Sequence, residues 1–295
     1  MVENWPNFFI VGAPKAGTSS LYAYLNDTSG IYMSKIKEPK YFSRKSFLKN
    51  KKAKIIRDEK EYLHLFRKVK DEKIIGEASP DYLSNPEVPN LIHQIVPHAR
   101  ILISLRDPVE RLISDYFMFQ RLGVVKSSFH ELFVKKLGSD KEITMMNRRL
   151  PIGLYSENVK RYFDIFGREQ VKVIIFEEFI KDTKGTVEEI LRFLGFNQKL
   201  DNFEAEVHNP FGVARGSVAQ FVFRNSRIKT IAERVLAPEQ RRALREKILI
   251  KKQPKPKINP DDKKLLGEFY YDDVQKLQQI LERKLPWSNF QTFTN

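Results

Sequence analysis

The sequence predicts an α/β fold, a three-layer sandwich in which helices flank a central, mostly parallel β-sheet. Short apolar runs alternate along the chain with amphipathic segments, as strands and helices do in this class. The apolar runs are continuous, which is typical of strands buried on both faces of a parallel sheet. The 295 residues, 41% of them hydrophobic, are enough for a large core. We therefore expect one domain, residues 1–295, rather than two small ones.

The composition excludes several kinds of site. The chain contains no cysteine, which rules out a disulfide framework, a thiol nucleophile and a cysteine-ligated metal. Its five histidines are scattered without ligand spacing, so no metal site is expected. No stretch approaches the roughly 20 apolar residues of a membrane span, and the first seven residues are too few and too polar for a secretory signal. These features predict a cytoplasmic protein without a membrane span.

The charge of the chain favours an anionic partner. Lysine and arginine number 52 against 37 acidic residues, which leaves a formal net charge of +15. Such a balance suits a nucleotide, an acidic glycan, a nucleic acid or an anionic membrane surface. Charge alone does not choose among them.

The first strand and helix are predicted to enclose a phosphate cradle. An apolar run from Phe8 ends at Gly12, a short loop follows, and a hydroxyl-rich group then opens an amphipathic segment. Backbone N–H groups at a helix N-terminus favour an anion, and glycines let the backbone approach it closely. The predicted P-loop-like cradle consists of Lys15, Ala16, Gly17, Thr18, Ser19 and Ser20.

The cradle departs from the Walker A motif of ATP-binding proteins. Gly12 and Gly17 have the Gly-x4-Gly spacing, but Thr18 stands where that motif requires lysine, and Lys15 precedes the second glycine. The Walker lysine reaches the β- and γ-phosphates, and the residue after it holds Mg²⁺. The departure weakens an ATPase interpretation.

A single carboxylate lies in the basic segment after the second strand, which is predicted at Ile31–Met33. From Lys35 to Lys54 the chain has nine lysines and arginines and one acid, Glu38. Glu38 is therefore either a solvated bystander or a placed base.

A helix from Glu59 to Val69 and a buried strand at Ile74–Gly76 come next, followed by a helix at about Glu87–Val96. The next predicted strand, Arg100–Leu105, ends in residues suited to a phosphate. Arg106 follows the strand directly, a proline starts the next helix, and Ser114 lies two turns into it. An arginine forks onto a phosphate and a serine donates a further hydrogen bond, so this pair suits a terminal phosphomonoester.

The remaining elements are predicted by apolar spacing, glycines and prolines. They are a helix at Phe129–Leu137, a basic loop at Met145–Pro151, a helix ending at Phe166, a strand at Val171–Phe176, a helix at Thr186–Leu194, a lid-like loop at His208–Ser217, a basic linker-like segment at Arg241–Lys257 and a closing helix at about Pro260–Leu285.

Three segments resemble motifs of sulfotransferases that use 3′-phosphoadenosine-5′-phosphosulfate (PAPS), in particular the heparan-sulfate type and bacterial members. Pro-Lys-x-Gly-Thr-Ser-Ser, which begins at Pro14, resembles their 5′-phosphosulfate loop. Lys-Glu-x-x-x-Phe, which ends at Phe42, resembles the segment with the catalytic glutamate. Arg-Asp-Pro-x-x-Arg-x-x-Ser-x-Tyr, from Arg106 to Tyr116, resembles the 3′-phosphate motif. The resemblance extends over nearly the whole chain.

The resemblance implies roles for individual residues. The cradle would hold the 5′-phosphosulfate, with Lys15 stabilising the leaving phosphate, and Arg106 and Ser114 would hold the 3′-phosphate. Glu38 would be the catalytic base. Arg215 and Gly216 resemble a late element that closes over the 3′-phosphate. These six join the rest of the cradle as the candidate site.

Two positions leave alternatives open. Tyr155 either contacts the nucleotide or is a core tyrosine. Ala78 stands where the family often has a lysine that assists at the active site, and Lys37 or Lys40 is the candidate for the missing cation.

The resemblance implies transfer of a sulfuryl group from PAPS to a hydroxyl or amine acceptor, with PAP as product and without a metal. The acceptor is expected to be a small molecule, a lipid or a glycan, acidic acceptors included, and no nucleic-acid partner is expected. A P-loop nucleotide or small-molecule kinase and a basic, non-catalytic nucleic-acid-binding module are the alternatives. The sequence does not indicate an oligomeric state.

Overall fold

The structure, a computed structural model, describes residues 4–47, 55–133, 138–200, 203, 213–214, 250–251 and 256–293. It divides into two compact units: one formed by Met1–Arg111, Ile152–His208 and Phe269–Asn295, the other by Leu112–Pro151 and Asn209–Glu268. This division does not test the prediction of one domain, which stays a prediction. Among the described helices, none combines the length and the apolarity that crossing a membrane requires.

The first unit contains a five-stranded sheet in which every pairing is parallel, in the order β2-β3-β1-β4-β5. This confirms the predicted central sheet. The strands are β1 Phe8–Gly12, β2 Ile31–Met33, β3 Ile74–Ala78, β4 Arg100–Leu105 and β5 Val171–Ile175. In the second unit, Val213–Ala214 (β6) pairs in antiparallel fashion with Ile250–Lys251 (β7).

Helices follow or separate these strands, as the predicted alternation requires. They are α1 Thr18–Asn26, α2 Glu59–His64, α3 Val88–Ile95, α4 Pro108–Arg121, α5 Phe129–Phe133, α6 Asp140–Asn147, α7 Ser156–Phe166, α8 Phe176–Lys181, α9 Thr183–Phe193 and α10 Pro260–Leu281. Short 3₁₀ turns occur at Tyr41–Phe47, Pro151–Gly153, Arg168–Gln170 and Ser288–Phe293.

The core of the first unit explains why β1 is so apolar. All five of its residues are buried, and Phe8 and Ile10 pack in one cluster with Leu21 and Leu25 of α1. Burying one such side chain fully contributes about 1.5–3 kcal/mol. The cluster also takes in Leu102, Ile174, Val187, Ile190 and Leu191. Strands β1, β4 and β5 are thus fixed against helices α1 and α9.

Several predicted elements differ from the structure: α8 was not predicted, α9 begins at Thr183 rather than Thr186, and β3 extends to Ala78. Two further differences have a clear reason. The segment predicted as a basic loop from Met145 contains the last turn of α6, which a capping box at Ser139 and Glu142 begins. Helix α2 ends at His64 rather than Val69, although Leu65 and Phe66 remain buried in the turns that follow. Apolar spacing at its C-terminal end therefore reflected burial and not helical structure.

The strand order places the switch point of the sheet at β1. The chain forms β2 and β3 on one side of β1 and then crosses to β4 and β5 on the other. Open α/β sheets bind ligands at the carboxyl ends of the strands beside such a point. The loops after β1, β3 and β4 therefore share one edge of the sheet with the segment after β2.

Candidate active site

The loop after β1 has the conformation of an anion cradle. Lys15 has φ 70° and Gly17 has φ 81°, and Gly17 is the N-cap of α1, where no side chain caps the helix. A Cβ atom on Gly17 would lie 2.9 Å from the Phe176 ring, so both the backbone conformation and the space require glycine. The first N–H groups of α1 have no intrahelical partners and suit an anion.

Strand β4 and the residue that follows it hold this loop in place. The Ala13 N–H donates to the Ser104 carbonyl at 2.6 Å, and Ser104 Oγ donates to the Ala16 carbonyl at 2.5 Å. Arg106 Nη1 donates to the Lys15 carbonyl at 3.1 Å. The structure therefore brings Arg106 and the cradle into direct contact, although they are 91 residues apart in the sequence.

Besides this hydrogen bond to Lys15, an aromatic ring fixes the Arg106 guanidinium. Its Cζ lies 4.7 Å from the centre of the Phe176 ring, a cation–π contact. Its Nε atom is buried without a hydrogen-bond partner. In the described part of the chain no carboxylate lies within salt-bridge distance of this guanidinium, so its charge is available to an anionic ligand.

Two acids lie close to Arg106: Asp107, the next residue in the chain, and Glu177, whose carboxyl interacts with the charge of Arg106. Asp107 accepts from the Val109 N–H at 2.9 Å and from Asn289 at 2.8 Å, and burial raises the pKa of its carboxyl to about 6. Glu177 accepts from the Asp107 N–H and from the Trp287 indole, and burial raises the pKa of Glu177 as well. These bonds fix the backbone after β4. In the described residues neither acid forms an ion pair with Arg106, although the charge of Arg106 opposes the rise in the pKa of Glu177.

Tyr155 lies in the core. Its side chain is 0% exposed, and its hydroxyl donates to the Arg106 carbonyl at 3.0 Å. Of the two alternatives for Tyr155, this arrangement favours the core tyrosine over the nucleotide contact. Tyr155 supports the backbone of Arg106 and does not present its ring to a ligand.

The segment after β2 lies beside the end of β3. The Glu38 N–H donates to the Ala78 carbonyl at 2.9 Å, and the Lys40 N–H donates to Ser79 Oγ at 3.1 Å. Glu38 has φ 60° and Lys40 has φ 56°, values that cost non-glycine residues roughly 1–3 kcal/mol each. Together with Lys15, they place three strained residues at this edge of the sheet.

The Glu38 carboxylate is flanked by two ammonium groups. Lys37 Nζ lies 3.2 Å from Oε1, Lys40 Nζ lies 3.3 Å from Oε2, and the Glu38 side chain is 40% exposed. Burial disfavours the charged form of Glu38, but Lys37 and Lys40 outweigh it, so its pKa lies below the usual value. Glu38 is consequently ionised at neutral pH.

Lys40 also reaches a second carboxylate. Its Nζ lies 3.7 Å from Asp81 Oδ1, and Asp81 follows β3 on the same edge. Burial raises the pKa of Asp81, and the charge of Lys40 opposes that shift. Ala78 itself is fully buried at the end of β3. Both lysines named as replacements for the cation absent at Ala78 thus contact Glu38.

The other predicted site residues are placed as follows. Ala16 and Thr18 are buried and Ser19 and Ser20 are partly buried at the start of α1. Ser114 is a partly buried residue of α4 in the second unit, and its assignment to a phosphate stays a prediction. Arg215 and Gly216 lie outside the described residues.

Sequence reasoning missed three residues of this region. Phe176 stacks on Arg106, Asp81 pairs with Lys40, and Glu77 is a fully buried acid directly before Ala78. The signal for Asp81 was available, since it follows a buried strand at the binding edge. No local pattern indicated the contact of Phe176, which begins a helix 70 residues after Arg106.

Comparisons with known proteins identify the family of the chain. The profile of the sulfotransferase domain matches residues 6–280. Human carbohydrate sulfotransferase 15 is 28% identical over 254 residues, which cover 68% of this chain and 45% of that protein. The chain thus spans less than half the length of that relative. Mouse heparan sulfate glucosamine 3-O-sulfotransferase 5 is 23% identical over 294 residues, covering 97% of this chain and 75% of that protein.

A solved structure is similar along nearly the whole chain. The crystal structure of a sulfotransferase from Alicyclobacillus acidocaldarius superposes with a TM-score of 0.72 at 32% sequence identity. The match covers 96% of this chain and 98% of that one.

Proposed function

The chain belongs to the sulfotransferase domain family, and from this premise we propose that it transfers a sulfuryl group from PAPS to a hydroxyl or amine acceptor, with Glu38 as general base. The observation that carries the proposal is the arrangement along one edge of the sheet. Arg106 donates a hydrogen bond to the Lys15 carbonyl of the cradle. The ionised Glu38 carboxylate follows β2, which lies two positions from β1 in the sheet.

The residues of the cradle fit the anionic groups of PAPS. The uncapped start of α1 suits the 5′-phosphosulfate, and Lys15 adds a positive charge there. Arg106 suits the 3′-phosphate because its Nε atom is buried without a partner and no carboxylate forms an ion pair with it in the described residues. When bound, PAPS supplies the sulfuryl group and receives the bonding electron pair on its 5′-phosphate.

Glu38 has the ionisation state that a base requires. Each carboxylate oxygen has two acceptor positions, so one lysine contact on each oxygen leaves positions for an acceptor proton. The lowered pKa keeps Glu38 charged at neutral pH, and it also makes Glu38 a weaker base. Proton transfer to Glu38 is thus favoured only as the acceptor oxygen or nitrogen begins to lose electron density to sulfur.

Lys40 supplies the cation that the family often places at the position of Ala78. Its backbone N–H is fixed by Ser79, and its ammonium lies between Glu38 and Asp81. An ammonium beside the base offsets negative charge that approaches it. Lys37 forms an ion pair with Glu38 and lowers its pKa.

A glycan is the first acceptor class to examine. The similar proteins from human and mouse are named for carbohydrate and heparan sulfate acceptors. The net charge of +15 favours an acidic acceptor, while small molecules and lipids remain in the test set.

Titration of PAP and ATP, each with and without Mg²⁺, tests the donor. We expect PAP to bind more tightly than ATP and its affinity to be independent of Mg²⁺, because Arg106 recognises a phosphate that ATP lacks. An oligonucleotide serves as the control for general polyanion binding. Preference for ATP with Mg²⁺ would instead support a kinase, and preference for the oligonucleotide would support a nucleic-acid-binding module.

Transfer of ³⁵S from PAPS to a panel of heparan sulfate, desulfated glycans, lipids, phenols and simple alcohols tests the reaction itself. A labelled product in any class supports sulfuryl transfer and names the acceptor class. Tight PAP binding without transfer to any of them would contradict the proposed activity.

A further inference from the structure

A fully buried acid lies directly behind the Glu38 segment. Glu77, in β3, is 0% exposed and accepts hydrogen bonds from three hydroxyl groups. Tyr62 and Tyr82 each donate to Oε1 at 2.8 Å, and Ser79 donates to Oε2 at 2.9 Å. All three hydrogen bonds to the Glu77 carboxylate therefore come from neutral hydroxyl groups, and none of them comes from a lysine.

Two of these hydroxyls pass the contact on to the backbone of the Glu38 segment. Ser79 Oγ accepts from the Lys40 N–H at 3.1 Å, and the Tyr82 hydroxyl accepts from the Phe42 N–H at 3.2 Å. A hydroxyl has one proton and two acceptor positions. Because each hydroxyl donates its proton in a hydrogen bond to Glu77, the lone pairs of Ser79 and Tyr82 are directed to these backbone donors.

We infer that Glu77 is a positioning residue, which acts through Ser79 and Tyr82 to hold Glu38 and Lys40 in their strained backbone conformation. The inference rests on the proposed roles of Glu38 and Lys40. It assigns a task to an acid that contacts none of the residues that would touch the nucleotide or the acceptor.

The local geometry shows why such support is needed. Glu38 and Lys40 both have positive φ, and non-glycine residues keep such conformations only where the surroundings fix them. The N–H groups of both strained residues are bonded, that of Glu38 to the Ala78 carbonyl beside Glu77 and that of Lys40 to Ser79. The bond at Phe42 follows two residues after Lys40. Three anchors thus come from β3 and the residues just after it.

The arrangement depends on the charge state of Glu77. The ionised carboxylate accepts all three hydroxyl protons, whereas a protonated one carries an O–H that needs an acceptor of its own. Burial raises the pKa of Glu77 to about 7, the three hydroxyl bonds oppose that shift, and the charge of Asp81 adds to it. The titratable groups that act on Glu77 are Tyr62, Tyr82, Tyr162 and Asp81.

The two tyrosines provide a matched pair for the test. Both are fully buried and both donate to Glu77 Oε1 at 2.8 Å, but only Tyr82 also accepts a backbone N–H of the Glu38 segment. The substitutions Tyr82→Phe and Tyr62→Phe each remove one hydroxyl group and thereby one hydrogen bond to Glu77 Oε1. A role limited to stability predicts similar effects for both, and the positioning role predicts different ones.

The readouts are hydrogen exchange of the Lys40 and Phe42 amides, the affinity for PAP and the kcat of ³⁵S transfer from PAPS to heparan sulfate. Loss of one neutral hydrogen bond corresponds to about a three- to tenfold effect. We expect Tyr82→Phe to speed exchange at Phe42 and Ser79→Ala to speed it at Lys40, each by about that factor, with kcat lowered to match. Tyr62→Phe should change neither by more than about twofold, and all three should bind PAP like the wild type.

Equal exchange rates at Phe42 in the two tyrosine variants would overturn the inference, and so would equal losses of kcat. Glu38→Gln, measured in parallel, separates this outcome from failure of the proposed function. Full turnover in Glu38→Gln means that Glu38 is not the base. If Glu38→Gln loses turnover while Tyr82→Phe and Tyr62→Phe give equal results, Glu38 is the base and the Glu77 network does not position it.

Discussion

The two sides of the candidate site treat their cations in opposite ways. On the arginine side, Arg106 stacks on Phe176 and donates to a backbone carbonyl, and no described carboxylate pairs with it. On the base side, Lys37 and Lys40 both contact Glu38. Asp107 and Glu177 also lie near Arg106 in the structure, but they accept hydrogen bonds from backbone N–H groups.

The difference follows from what each side has to do. A phosphate site works best when its cation is already oriented and not neutralised, since displacing an internal acid would cost binding energy. A base must be ionised, and its ion pairs must leave a carboxylate oxygen accessible to the proton of the acceptor. Two lysines on a partly exposed glutamate keep it charged at neutral pH but lower its basicity. The arginine side should therefore govern affinity, and the base side turnover.

The largest expected effect is on turnover, from Glu38→Gln. Glutamine keeps the shape of the side chain but does not accept a proton, so kcat should fall by roughly 10²- to 10⁴-fold. The affinity for PAP should stay unchanged, because the cradle and Arg106 are untouched. Transfer of ³⁵S from PAPS measures the first quantity and calorimetric titration the second.

Glu61→Gln is the control for that experiment, since it makes the same change on an exposed residue of α2. It should leave both quantities at wild-type values. A Glu38→Gln enzyme with lowered PAP affinity and normal kcat would reverse the assignment of the two sides.

A smaller effect is expected on the arginine side, from Arg106→Ala. Loss of a charge-assisted contact costs about 1.5–3 kcal/mol, which weakens PAP binding by about 10- to 150-fold. Arg100→Ala is the matched control, because Arg100 lies at the other end of β4 and stacks on Phe193 with 5.5 Å between Cζ and the ring centre. PAP affinities that fall equally in both variants would show that the effect is general charge and not a phosphate site.

Local patterns in the sequence predicted much of the fold and part of the site. The continuous apolar runs gave β1 and β4, and the glycine spacing and the Arg-Asp-Pro group located the cradle and Arg106 at their ends. These features are contiguous in the chain. The same approach missed α6, even though Ser139 and Glu142 carry the spacing of a capping box.

The remaining features of the site depend on long-range packing. Phe176 reaches Arg106 because β4 and β5 are neighbours in the sheet, and Tyr82 reaches Phe42 because β3 lies beside the Glu38 segment. The periodicity of apolar residues in the sequence does not reveal contacts between residues so far apart in the chain. The role of Tyr155 was undecided for the same reason, because only the fold shows that its hydroxyl meets the Arg106 carbonyl.

The smallest effect distinguishes the two lysines of the base side. Lys37 and Lys40 both lower the pKa of Glu38, so Lys37→Met and Lys40→Met should each raise it. A base must be ionised to accept a proton, so the acid limb of the kcat profile should move to higher pH in both variants. Only Lys40→Met should also lower the plateau of kcat above that limb, by about tenfold, because its ammonium is the proposed replacement for the lysine absent at Ala78.

The profile of kcat against pH therefore tests the base side in two independent ways. An acid limb that stays in place in both variants would mean that Glu38 does not set it, whatever happens to the plateau. A plateau lowered in Lys37→Met and not in Lys40→Met would transfer the cationic role to Lys37. Lys40 is the stronger candidate because two contacts besides Glu38 fix it, the Ser79 hydroxyl at its backbone and Asp81 at its ammonium, whereas Lys37 forms its ion pair with Glu38. A cation held in this way loses less conformational entropy when it meets the charge that develops during transfer.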